Sequence, residues 1–465
     1  METASELQNP SVPQISEELR ERIRGIGSRL VQAYKAVDTD LGKLGGDAQV
    51  IFNGAPTQTQ RDEIKRYADA TLAKAPLVQP ILAITQELDV LISENKEHFI
   101  RTHPRGRDGE SHGVKILRDS GLMDILEKST FCDCAINLKT SKKPGLRIAG
   151  GTGIIDMITS GEASPPVDKT KLDTLLGRVI SAIHLHTEAA VGHRNRIQEF
   201  RHLLAHLTKK LDRETTELPI NIGSVGTGSG TEWAEILKEF GSEALKRKLH
   251  VLGVDFDPGT LTLFRKTLER ENVRAERDGV TNRIVGIETI TANVYTLTLD
   301  HIARSLGVSA PQVSNQLQDL LYMLGVFDYV PDSAKQEWLR VLAKNGPLGQ
   351  NKIEQIMGAD FAACTLAMLE QMVKPGGLLV VTQVNDNIPV PYYLALILNW
   401  ELELRGPERM REMAEAIGYT YRADLSGPIT PDRPITLMDE LKPGEFCIMQ
   451  EACGVNHMVG LRRKL

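Results

Sequence analysis

The stretch that most constrains this chain is Ile222-Gly223-Ser224-Val225-Gly226-Thr227-Gly228-Ser229-Gly230. A short apolar run, Ile220 to Val225, ends in a glycine turn, and a helix is expected from Thr231. Glycines let the backbone turn sharply and let a ligand approach it closely. The helix N-terminus behind such a turn offers unpaired N–H groups to a carboxylate or phosphate. The dinucleotide fingerprint is G-x-G-x-x-G. Here the spacing is Gly226-x-Gly228-x-Gly230, and Thr231 stands where the third glycine or alanine belongs.

After Pro219 strands alternate with helices. Leu249 to Val254 reads as a second strand, Pro258 to Arg270 as a helix with proline at its start, and Ile284 to Val294 as holding a third strand. Leu320 to Leu324 is a fourth, and Leu378 to Val384, after Lys374-Pro375-Gly376-Gly377, a fifth. Tyr392 to Ile417 is expected to be helical with a break near Gly406-Pro407, and Phe446 to Leu461 to be a closing hairpin. This order predicts an α/β fold, a doubly wound, mostly parallel sheet with helices on both faces. Residues 1–210 read as mostly helical: Ile15 to Val37, Gln60 to Ile92 with breaks near Pro76 and Pro80, and Lys171 to Leu211. Between them lie a basic loop within 101–118, a glycine-rich stretch at Gly145 to Gly153 and a linker at Gly161 to Pro166. The expected division is an N-terminal helical domain over 1–170 and a cofactor-binding domain over 171–465, its sheet starting at 219.

Two further strand ends carry ligand-type residues. The second closes in Gly253-Val254-Asp255-Phe256-Asp257-Pro258. An acid at this tip can accept hydrogen bonds from both hydroxyls of a ribose, which makes Asp255 the candidate, while Asp257 is expected to cap the next helix. The third ends in Thr291-Ala292-Asn293-Val294, a small residue and an amide suited to an adenine edge. G-x-G-x-G is the methyltransferase form of the glycine loop, so the cofactor expected is S-adenosylmethionine (SAM) rather than NAD. The candidate cofactor residues are Gly223, Ser224, Gly226, Gly228, Asp255, Phe256, Asn293, Val294 and Tyr322.

These residues resemble class I SAM-dependent methyltransferases, a Rossmann-like fold. Over roughly residues 145–465 the chain looks most like the extracellular-factor family, enzymes assigned to methyl esterification of 3-hydroxypalmitic acid. The points of likeness are Ala189 to Ile197 (AAVGHRNRI), the loop Gly223 to Gly230, and Asp255-Phe256-Asp257-Pro258. Asp319 to Val330 (DLLYMLGVFDYV), Lys374-Pro375-Gly376-Gly377 and Asn399 to Met413 (NWELELRGPERMREM) continue them. The chain departs at Ala149-Gly150-Gly151-Thr152-Gly153, where the family has G-Y-A-G-D, and at 343–365, which reads as an insertion. Both departures fall where substrate contacts could lie, so methyl transfer carries over better than the family's substrate.

Composition narrows the alternatives. With 61 acidic and 55 basic residues the formal net charge is -6, giving no global attraction to nucleic acid or an anionic membrane. No apolar run is long enough to span a bilayer. Five cysteines and an opening Met1-Glu2-Thr3-Ala4-Ser5-Glu6 without a basic or apolar leader favour the cytoplasm. Leu299 to Leu320 imitates a helix-turn-helix, but Pro311 to Leu320 contains no Lys or Arg for phosphate contacts. Five histidines between His184 and His206 cannot converge on one metal from one helix, because His186 and His193 face away from His202 and His206. Cys132 and Cys134 have no partner pair nearby, and no metal site is expected.

The expected reaction moves the SAM methyl to an oxygen or nitrogen nucleophile of a small molecule; a carboxylate acceptor would give a methyl ester. The sulfonium supplies the electrophile and the protein supplies in-line positioning and exclusion of water. Arg196, Arg405, Tyr329 and Tyr392 are candidates to orient a carboxylate, and His193 or Asp328 to take a proton from an amine or hydroxyl. Aminocarboxypropyl transfer from SAM, as in nicotianamine synthases, and a DNA-binding regulator are the alternatives. Oligomeric state is left open.

Overall fold

The structure is a computed structural model. It describes residues 15–45, 78–99, 111–129, 132, 175–185, 187–214, 218–230, 232–233, 236–237, 245–277, 284–305, 317–334, 358–398 and 402–465. The glycine-rich stretch 145–153, the linker 161–166, the first half of the helical reading at 60–92, most of the basic loop, and 343–357 lie outside them, as do His186 and Cys134. The described residues fall into two compact units, one drawn from 1–191 and 389–401, the other from 192–388 and 402–465.

The first unit's described elements are helical. They are α1 (Glu17–Gly45), α2 (Gln79–Glu94), α3 (His112–Asp119), α4 (Leu122–Leu126), α5 (Leu175–Leu185) and a π turn, Tyr393–Ile397. Leu19, Ile23, Ile26, Leu30, Tyr34 and Val37 are all buried along α1. Their spacing of three and four is that of one helix face. Gly27 lets α1 approach closely, since a Cβ there would lie 2.2 Å from Ser120 Oγ. Asp89 of α2 accepts the backbone N–H of Tyr393 at 2.6 Å.

Helix α6 (Glu188–Asp212) enters the second unit at Gly192. There follow β1 (Ile220–Val225), β2 (Leu249–Asp255), α7 (Pro258–Arg277), β3 (Ile284–Thr291), α8 (Val294–Ser305) and β4 (Gln318–Met323). Then come α9 (Phe361–Glu370), β5 (Val373–Val384), α10 (Pro407–Ala416), β6 (Thr420–Tyr421), β7 (Gly427–Pro428), β8 (Glu445–Gln450) and β9 (Asn456–Arg462). The sheet runs β3-β2-β1-β4-β5-β9-β8-β6, with β7 on β8. The first five strands are parallel, and β9 returns antiparallel to β5, with Val384 opposite Asn456. An all-parallel dinucleotide sheet of order 3-2-1-4-5-6 lacks that return.

Alternation along the strands sorts side chains into two cores. Leu320 and Tyr322 join Phe200, Leu203 and Leu207 of α6, together with Trp233 and Phe264. Leu321 and Met323 join Leu297 and Ile302 of α8, Leu366 of α9, and Met410 and Met413 of α10. Helix α8 is therefore the crossover from β3 to β4, and the first half of the helix-turn-helix imitation is spent on the core; 306–316 lie outside the described residues. Chain order reverses between β1 and β4, where ligands of open α/β sheets bind, outside the carboxyl ends of the strands.

Two sequence expectations are corrected. Tyr392 to Ile417 does break at Gly406-Pro407, where α10 starts, but the break is wider than expected, since residues 402–406 are all non-helical. The residue before a proline is pushed out of the helical region, and Gly406 takes φ -72°, ψ 169°. Glu403 N donates to Asp328 O at 2.7 Å and Arg405 N to Val384 O at 3.1 Å, tying this segment to the sheet. The fifth strand also begins at Val373 rather than Leu378, taking in the Lys-Pro-Gly-Gly turn.

Candidate functional site

Gly226, Gly228 and Gly230 have φ of +70°, +54° and +70°, backbone that L side chains rarely adopt. Their surroundings differ. A Cβ on Gly226 would lie 2.1 Å from Val326 Cγ2, and one on Gly230 2.7 Å from the Phe264 ring, so these two glycines serve close packing as well. A Cβ on Gly228 would meet none of the described residues within 4 Å. The loop is thus held from behind at both ends and open at its middle.

Asp255 closes β2 beside that opening. It is 8% exposed, and its Oδ1 accepts Asp257 N–H at 3.0 Å. The backbone N–H of Gly228 also donates to this carboxylate, joining the strand tip to the loop. Burial raises the Asp255 carboxyl above the ordinary range, against the backbone donors that lower it. Asp257 caps α7 as expected, its Oδ2 accepting from Thr260 N at 3.1 Å. Phe256 is half-buried next to Asp255. At the β3 end, Asn293 caps α8 by accepting Tyr295 N at 2.9 Å, and Val294 is buried behind it.

Beyond β4, Phe327–Tyr329 forms a 3-10 turn. Asp328 is 2% exposed; its Oδ1 accepts Val384 N–H at 2.6 Å and its Oδ2 lies 3.6 Å from Arg196 Nη1. Burial raises its carboxyl, opposed by the charge of Arg196. Arg196 in turn donates to Asn456 Oδ1 at 3.0 Å. His193, three residues earlier on α6, is buried and held well below the ordinary histidine range, first by desolvation and then by Arg196, while Asn456 acts the other way. It is a neutral imidazole at pH 7. Glu451 fastens this group: Oε1 accepts Val455 N and Asn456 N at 2.6 and 3.1 Å, and Oε2 accepts Asn195 Nδ2 at 3.0 Å.

The remaining candidates lie elsewhere. Gly223 is inside β1, where a Cβ would lie 2.5 Å from Leu321 Cδ1, a packing position. Ser224 is buried beside Tyr322, whose hydroxyl donates to Glu232 at 3.2 Å and whose ring meets Phe200 at 4.5 Å, in the α6-side core. Arg405 is a buried clasp: its guanidinium donates to Asp332, to Gln383 Oε1 at 2.8 Å, and to the carbonyls of Phe327 and Val330. Tyr329 is half-buried, with its carbonyl taken by the Tyr295 hydroxyl at 2.6 Å. Tyr392 belongs to the first unit, where Lys96 sits 4.2 Å over its ring. Asn456, Glu451, Gln383 and His457, all at the β5–β9 edge, were not singled out in the sequence. The antiparallel return of β9 brings Asn456, His457 and the turn residue Glu451 back beside β5, which carries Gln383.

Among the described residues no cluster of three or more His, Cys, Asp or Glu is placed to hold a metal ion. His202 lies near Glu199, His206 near Asp439, and Cys132 near His184. No helix among them is long and apolar enough to cross a membrane.

No family model matches the sequence, and no curated protein matches it either. Among solved structures, the chain is similar to a possible exported protein from Bordetella parapertussis, at 12% identity and a TM-score of 0.41, over 88% of this chain and 100% of that one. It is also similar to the CMeT domain of the citrinin polyketide synthase, at 11% identity and 0.40, over 95% and 90%. A third similarity is to a putative methyltransferase from Thermobifida fusca YX, at 14% and 0.36, over 68% and 94%. Likeness this distant carries neither cofactor nor substrate across.

Proposed function

We propose that this chain is a SAM-dependent methyltransferase acting on an oxygen or nitrogen nucleophile of a small molecule. The observation that carries the reading is the opening at Gly228, a left-handed glycine with empty space where a side chain would be, beside the buried carboxylate of Asp255. Both stand at the reversal of strand order, where a nucleotide cofactor is received. The resemblance to class I methyltransferases selects SAM among such cofactors, and the antiparallel β9 sets the sheet apart from the dinucleotide form.

When bound, SAM supplies a methyl group on a sulfonium, which is electrophilic without help from the protein. The loop from Gly226 to Gly230 would offer its backbone to the amino-acid end. Asp255 would accept the ribose hydroxyls, and Phe256, Asn293 and Val294 would border the base. The turn carrying Asp328 and Tyr329 faces the acceptor side, and Arg405 holds that turn in place. For a hydroxyl or amine acceptor, His193, which burial and Arg196 keep uncharged, would be the group to accept the acceptor's proton. For a carboxylate acceptor no base is needed.

The test is product analysis with methyl-labelled SAM and pooled small carboxylic acids, amines and alcohols. The reading expects S-adenosylhomocysteine and a labelled acceptor. Methylthioadenosine as the nucleoside product would replace methyl transfer with aminocarboxypropyl transfer.

A further inference from the structure

Between β5 and α10 the chain leaves the second unit after Ile388, belongs to the first over 389–401, and rejoins the second at Leu402. Both ends are pinned: Asn385 N donates to Val455 O at 2.8 Å, and Arg405 N to Val384 O at 3.1 Å. Val390, just inside the excursion, has φ +50°. It is the one non-glycine residue with a positive φ among those described. A β-branched side chain is strained in that backbone. Its neighbours are Pro389 and Pro391. A residue before proline is pushed toward extended backbone. The local sequence therefore favours an extended Pro-Val-Pro, and Val390 is held away from it.

The turn that follows does the holding. Leu394 N donates to Val390 O at 3.1 Å, and Tyr393–Ile397 winds as a π turn, with Leu398 N donating to Tyr393 O at 3.1 Å. π turns are rare and occur mostly at functional positions. Asp89 of α2, buried at 8% exposed, accepts Tyr393 N–H at 2.6 Å and the N–H of Tyr392 as well. His184 of α5 takes the other end of Tyr393. Its Nδ1 lies 2.8 Å from Ile180 O, and a carbonyl only accepts, so Nδ1 carries the proton. Nε2 is then the acceptor for the Tyr393 hydroxyl at 3.2 Å. Strain of this kind persists where the surroundings over-determine it, and it gathers at clamps and switches.

Beyond Leu402 the same chain ties down the turn after β4. Glu403 N donates to Asp328 O at 2.7 Å, and the Arg405 guanidinium holds the carbonyls of Phe327 and Val330. We propose that residues 389–398 are a two-state latch whose release loosens the turn Phe327–Tyr329. In the closed state Asp89 holds the π turn and Val390 is left-handed. In the open state Pro389-Val390-Pro391 is extended, and the N–H groups of Tyr392 and Tyr393 leave Asp89 for water. The chain through 402–405 carries the coupling, which is reciprocal: a ligand that orders the turn closes the latch. That this ligand is the methyl acceptor rests on the methyltransferase reading above; the latch itself does not.

Hydrogen exchange of the full chain, read by mass spectrometry, follows latch and turn together. Val390→Asn accepts left-handed backbone readily, whereas Val390→Ala removes the valine packing but keeps the left-handed penalty. Relative to V390A, V390N should slow exchange over 392–398 by roughly fivefold or more, the lower end of that penalty. Exchange at Tyr329 and Val330, whose N–H groups close the turn, should slow with it. Asp89→Ala should speed both regions about tenfold or more, for a lost charged acceptor. If D89A does not fold, the two Val390 variants decide alone. Exchange over 392–398 no slower in V390N than in V390A overturns the latch. A response confined to 392–398, with Tyr329 and Val330 unchanged, overturns the coupling that the proposal asserts. Absence of S-adenosylhomocysteine binding in calorimetry would remove the methyltransferase reading and leave the exchange result to judge the latch.

Discussion

Gly228→Ala separates a ligand role for the glycine loop from a folding role. In the free protein the added methyl meets none of the described residues within 4 Å, so no steric conflict with them follows. The cost is that of holding alanine at φ +54°, about 1–2 kcal/mol for a left-handed residue. In a domain of this size that lowers Tm by only a few degrees. The methyl does project into the space assigned to the cofactor. Displacing the ligand from even one backbone donor should cut affinity at least tenfold, about 1.4 kcal/mol. Gly226→Ala provides the contrast. It has the same backbone strain, but its methyl would sit 2.1 Å from Val326 Cγ2, adding about 1–3 kcal/mol of overpacking. Isothermal calorimetry with S-adenosylhomocysteine, beside thermal melts of both variants, reads the two effects. A folded G228A protein that binds S-adenosylhomocysteine as the wild type does would refute the reasoning, because the open side of Gly228 would then not be the ligand's.

Asp255→Asn should weaken S-adenosylhomocysteine about tenfold or more, for loss of a charged acceptor. Wild-type affinity should fall with acid at a pH above the ordinary carboxylate range, since burial raises this group, whereas D255N should show no such step; parallel pH profiles would contradict the assignment. Arg405→Met leaves Gln383 Oε1 and the carbonyl of Val330 without their donor, at about 1–3 kcal/mol for each buried acceptor, while the Phe327 carbonyl keeps the backbone N–H of Val330. Urea denaturation should show a loss of a few kcal/mol, and an unchanged midpoint would mean that the clasp holds nothing. Burial lowers His457 from 6.5 to about 4, so its contribution to stability is present above pH 6.5 and lost as pH falls toward 4. His457→Gln should flatten stability across that window, and a slope equal to the wild type's would count against it.

The parts legible in the sequence were those with a local cause. The β1 glycine turn, the acid ending β2 and the Asp257 cap each follow from residues a few positions apart. Tyr322 shows where local reading stops. In the run Leu320-Leu321-Tyr322-Met323 every residue is buried, so alternation cannot say which face meets ligand and which meets α6. Arg405, within the run Asn399 to Met413 shared with the resembled family, was read as a cation to orient a carboxylate; its role as a clasp depends on the non-helical segment 402–406 folding back on Asp328 and Val384. Asn456 and Glu451 had no local signal at all. They matter because β9 runs antiparallel to β5 and because α6 presents Asn195 and Arg196 to that hairpin.

The central claim is that the β1 loop and Asp255 receive SAM. The most direct measurement is calorimetric titration of the purified chain with S-adenosylhomocysteine and, separately, with NADH. Saturable binding of S-adenosylhomocysteine and none of NADH is the predicted result. Binding of NADH, with no heat from S-adenosylhomocysteine at millimolar concentration, would contradict the account.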